Sequence, residues 1–62
     1  MNKLTDESPM PFGEYEGVAM ANVPAERLVW YYEQIAEKDN PRANETAVKE
    51  YVENYLPEMV GL

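Results

Sequence analysis

The groups best able to do chemistry in this 62-residue chain are its carboxylates, because it contains neither histidine nor cysteine. That absence removes imidazole bases, thiol nucleophiles and the usual structural zinc ligands together. Three carboxylate pairs have suggestive spacing: Glu14 with Glu16, Glu33 with Glu37, and Glu50 with Glu53. Such a pair could hold a hard cation weakly or work as an acid/base dyad. Either role needs a pocket that desolvates one carboxyl and separates the two pKa values, and so short a chain leaves little room for one. Solvated surface is therefore the expected fate of all three pairs. No base stands ready to activate Thr5, Ser8 or Thr46, and no Lys-Ser or Lys-Thr pair follows the glycines as a phosphate loop requires. These residues predict a non-enzymatic protein with no cofactor and no metal.

The elements that would position these groups can be read from spacing and turn chemistry. The length allows one domain, expected over residues 10–57, with 1–9 a flexible leader and 58–62 a C-terminal tail. Residues 10–20 read as a short β-hairpin, with Met10–Phe12 and Gly17–Met20 as its arms and Gly13 and Gly17 bounding the turn. Pro9 and Pro11 restrict the first arm to an edge. Asn22 is a candidate cap and Pro24 a first helical residue for a helix over 24–38, stopped by Asp39-Asn40-Pro41. A second helix over 43–56 has Asn44 as its candidate cap and Pro57 as its end. It carries an apolar stripe of Ala47, Val48, Tyr51, Val52 and Tyr55. The short connection makes the helices antiparallel neighbours. The expected fold class is thus α+β, a hairpin packed on two antiparallel helices.

The first helix carries an anomaly. Ala25, Leu28, Tyr32 and Ile35 share one face, while Trp30 points nearly opposite, among Glu26, Glu33, Gln34 and Glu37. The first expectation is that the second helix covers the Leu28 face and the hairpin covers Trp30. The alternative is that Trp30 and a neighbouring tyrosine stay exposed as a binding patch.

Twelve acidic residues against five basic ones give a net charge of −7. Such a chain is repelled by a phosphate backbone, and Lys3, Arg27, Lys38, Arg42 and Lys49 are scattered. The favoured partner is a protein with a basic surface. No stretch approaches the roughly 20 apolar residues of a membrane span. No apolar run follows Lys3 as in a signal peptide, so a cytoplasmic location is expected.

The run Met10-Pro11-Phe12-Gly13-Glu14-Tyr15-Glu16-Gly17, with Val23-Pro24, Leu28 and Trp30, resembles the quorum-sensing-regulated virulence factors, a family of small bacterial and phage proteins. The same pattern is similar to the C-terminal domain of exodeoxyribonuclease X. The resemblance covers residues 10–32 well, and Val48–Leu56 is similar to the second helix of the small phage members. It implies a hairpin-plus-helices fold of uncharacterised role and no catalytic residues. The family's usual turn reads Gly-Lys-Tyr-Lys-Gly, so Glu14 and Glu16 shift its charge by four units, and Arg27 stands where a tyrosine is usual.

Two functions follow as expectations. The first is a small acidic protein-interaction domain that contacts its partner through Glu14, Tyr15, Glu16, Trp30 and Tyr31. The second is an accessory domain in nucleic-acid processing, acting by direct DNA binding or as an acidic DNA mimic. A homodimer through the first helix is a further alternative, since a small core leaves apolar surface to hide.

Overall fold

The computed structural model describes residues 3–61. Its regular elements are two helices, α1 (Ala25–Ala36) and α2 (Ala43–Tyr55), and two 3₁₀ turns, Met20–Asn22 and Pro57–Val60. No β-strand or sheet occurs among the described residues. The expected α+β class and the hairpin over 10–20 are therefore corrected to an all-helical architecture with an irregular N-terminal segment.

Backbone hydrogen bonding shows why the hairpin does not form. The chain does fold back on itself. The Met20 N–H donates to the Ser8 carbonyl and the Met10 N–H to the Val18 carbonyl, both at 2.8 Å. Pro9 and Ala19 form one isolated antiparallel bridge. Pro9 and Pro11 have no N–H to continue the ladder. The register also slips at the next step, where the Gly17 N–H reaches the Met10 carbonyl at 2.9 Å. Gly17 takes a φ of 87°, which breaks the extended path on the turn side of the bridge, and Met20 enters a 3₁₀ turn on its other side. The bridge joins Pro9, one residue before the expected first arm, to Ala19 within the expected second, and the Ala21 N–H reaches back to the Asp6 carbonyl at 3.0 Å.

The helices follow the periodicity of the sequence. Pro24 stands one position earlier than expected, as the residue before α1, where its carbonyl accepts from the Arg27 and Leu28 N–H groups. Asn22 closes the preceding 3₁₀ turn and makes no capping bond. Asn44 lies inside α2. The residue before that helix is Arg42, whose backbone N–H donates to Glu45 Oε1 at 2.8 Å. The Glu45 carboxylate thereby satisfies one donor at the helix entry.

The core comprises Met10, Met20, Val23, Leu28, Ile35, Ala47, Val48, Tyr51 and Val52. Leu28 and Ile35 face Val48, Tyr51 and Val52 across the α1–α2 contact, and Met10 and Met20 close the core from the N-terminal segment. Fully burying side chains of this size contributes about 1.5–3 kcal/mol each. Leu4 and Val60 also pack against this cluster, and the Tyr51 hydroxyl donates to Asp6 Oδ1 at 2.6 Å.

Candidate acidic-aromatic surface

Phe12, Gly13 and Tyr31 fix where the N-terminal turn meets α1. Gly13 has a φ of 85°, and a Cβ there would collide with the Tyr31 hydroxyl. Phe12 meets the Tyr31 ring edge-on, with centroids 5.5 Å apart. Tyr31 in turn meets Trp30 edge-on at 5.1 Å. These edge contacts suit the ring quadrupoles and form a line from the turn to the outer face of α1. The cover expected over Trp30 falls on Tyr31 instead, and Trp30 is left 47% exposed.

The turn itself is held by the Glu16 N–H donating to the Gly13 carbonyl at 3.1 Å and the Val18 N–H to the Tyr15 carbonyl at 2.9 Å. It delivers Glu14 to α1, where Glu14 Oε1 lies 3.2 Å from Arg27 Nη2. The Arg27 guanidinium sits over the Trp30 ring, 5.7 Å from its centroid. Tyr15, Pro24, Glu26, Arg27 and Trp30 line a shallow concavity between turn and helix. Glu26 and Glu33 on α1, and Glu37 directly after it, are exposed.

The five sequence-predicted residues therefore lie in one region, in different roles. Tyr15 and Trp30 line the concavity, Glu14 is ion-paired beside it, Glu16 is exposed, and Tyr31 is a half-buried support. Arg27, Pro24 and Glu26 belong to the same surface and were not among them. Arg27 precedes Trp30 by three residues, a spacing that places both on one helical face, and this was the available signal.

The remaining carboxylate pairs behave separately. Glu53 accepts from Lys49 Nζ at 3.0 Å and from the Tyr32 hydroxyl at 3.2 Å, tying α2 to α1. The Lys49 hydrogen bond is the main reason that the Glu53 carboxyl is held below the usual range. Glu33, Glu37 and Glu50 are exposed. Among the described residues, no group of three acidic side chains is gathered that could hold a metal ion.

The family model described as "Putative quorum-sensing-regulated virulence factor" matches residues 1–42. The chain belongs to this family. In this member of the quorum-sensing-regulated virulence factor family, the matched span contains the N-terminal turn, the whole of α1 and the Arg42 residue that precedes α2. No curated protein and no solved structure matches the chain, so the similarity to exodeoxyribonuclease X is not carried by these comparisons. No helix among the described residues is long and apolar enough to cross a membrane.

Proposed function

We propose that this family member is a small non-enzymatic interaction domain whose partner is a protein with a basic surface. One observation carries the reading: Trp30 is half exposed amid Glu26, Glu33 and Glu37, and beside it the turn presents Glu14, Tyr15 and Glu16. A large aromatic at the centre of a contact supplies buried area. Surrounding carboxylates steer a cationic partner and repel anionic ones. The overall charge of −7 acts in the same direction.

Capture of partners from a lysate of the source cell by the tagged protein tests this reading. Glu16→Lys with Glu26→Lys is the informative variant, because both residues are exposed and neither takes part in the Glu14–Arg27 ion pair. Loss of capture of basic proteins is the expected result, with wild-type capture weakening at high salt. Capture that survives the double reversal unchanged rejects the acidic surface as the contact.

A further inference from the structure

The arrangement of Glu14, Arg27 and Trp30 deepens the preceding proposal and rests on it. Arg27 is a cation inside an otherwise acidic-aromatic surface. Its guanidinium makes the two contacts that a foreign arginine would seek there, an ion pair with Glu14 at 3.2 Å and a cation–π contact with Trp30 at 5.7 Å. We propose that Arg27 is an internal occupant of an arginine-binding site, and that a partner's arginine displaces it.

Three features support displacement. First, both members of the ion pair are accessible: the Glu14 side chain is 60% exposed and that of Arg27 is 42% exposed. An ion pair this open to water is weak and readily exchanged. Second, the contact is local. Arg27 is not one of the buried residues and its side chain is part-exposed, so it can swing into solvent without removing a member of the core. Third, the concavity offers more than Arg27 uses. Tyr15 and Pro24 form an apolar wall for the aliphatic stem of an incoming arginine, and the Glu26 carboxylate stands at the rim. Charge complementarity then selects the occupant, an arginine-bearing segment of a protein. Arginine is favoured over lysine because its planar guanidinium can stack on the indole and pair with a carboxylate at once.

Fluorescence anisotropy with a labelled nona-arginine peptide tests the proposal, using wild type, Arg27→Ala, Arg27→Gln and Lys3→Ala. Lys3→Ala removes the same unit of charge from an exposed position outside the site. Removing the internal competitor should tighten binding about five- to tenfold in both Arg27 variants, in line with one exposed cation–π contact plus one surface ion pair. Lys3→Ala should change it less than about twofold, the scale expected of one distant screened charge. Adding Trp30→Leu or Glu14→Gln to Arg27→Ala should abolish the gain, and nona-lysine should gain less than nona-arginine. If wild type binds and the Arg27 variants match Lys3→Ala, Arg27 is not a competitor and the inference is overturned while the acidic-surface reading stands. If no protein in the series binds either peptide, both are overturned.

Discussion

Gly13 and Trp30 show what single residues reveal about this surface. Gly13 needs glycine twice, for a φ of 85° and for the space taken by the Tyr31 hydroxyl, whereas Gly17 has a φ of 87° with open space where a Cβ would stand. Gly17→Ala should therefore lose only the backbone term, at the low end of about 1–3 kcal/mol. Gly13→Ala should lose more, since Tyr31 must also move, and urea melts of the two variants separate the terms. Equal losses would show that Tyr31 is not fixed against the turn. Trp30 is the sole tryptophan, so emission reports its surroundings directly. Its 47% exposure predicts a red-shifted maximum and ready quenching by acrylamide, and blue, protected emission would contradict that exposure. The glycine positions were legible because a turn bounded by two glycines has few backbone solutions. The exposure of Trp30 was not, since helical spacing tells which face a side chain occupies and says nothing of what covers that face.

The helices were legible as elements and the N-terminal segment was not. Helices expected over 24–38 and 43–56 are observed at Ala25–Ala36 and Ala43–Tyr55, because the apolar stripes and the proline stops are local signals. The hairpin failed as an expectation because glycines and aromatics in a turn do not reveal register. Register was decided by the missing donors of Pro9 and Pro11 and by the slip at Gly17. The bond from Tyr51 to Asp6 spans 45 residues and leaves no periodic trace in the sequence. It ties the segment before the turn to α2, and burial followed by the Asp6 hydrogen bond pushes the Tyr51 phenol well above its ordinary range. Tyr51→Phe keeps the packed ring and removes only that bond, so it should cost about 1 kcal/mol. Amide exchange should then quicken at Met20 and Ala21, whose N–H groups bond the Ser8 and Asp6 carbonyls, before it does so in α1. Uniform acceleration would mean that the segment is not held through Tyr51.

At the scale of the whole molecule, stability should respond to pH through a few paired groups and to salt through the remainder. Glu45 is held low by the Lys38 hydrogen bond and then by the Arg42 N–H, and Glu53 by Lys49. Both contribute stability that is present above their ordinary value of 4.5 and is lost as pH falls through their lower folded values. Tyr32 and Tyr51 are raised above 10.0, burial being the largest cause in each, and Lys49 is raised above 10.5 chiefly by Glu53. Their contributions are complete below those ordinary values and are lost as pH rises through the raised ones. Between the two limbs the molecule carries an uncompensated charge of −7, while its ion pairs among the described residues, Arg27–Glu14, Lys38–Glu45 and Lys49–Glu53, are solvent-accessible. Screening should weaken the mutual repulsion of the excess carboxylates more than it weakens these pairs. Added sodium chloride should therefore raise the thermal midpoint at neutral pH, and a lowered midpoint would mean that the pairs outweigh the repulsion. Glu53→Gln tests the acid limb separately. It removes a group whose ionised form is favoured by Lys49 and Tyr32, so the variant should be less stable at neutral pH and lose less on acidification. Thermal melts that show the same acid-induced loss in variant and wild type would rule out Glu53 as a source of that limb.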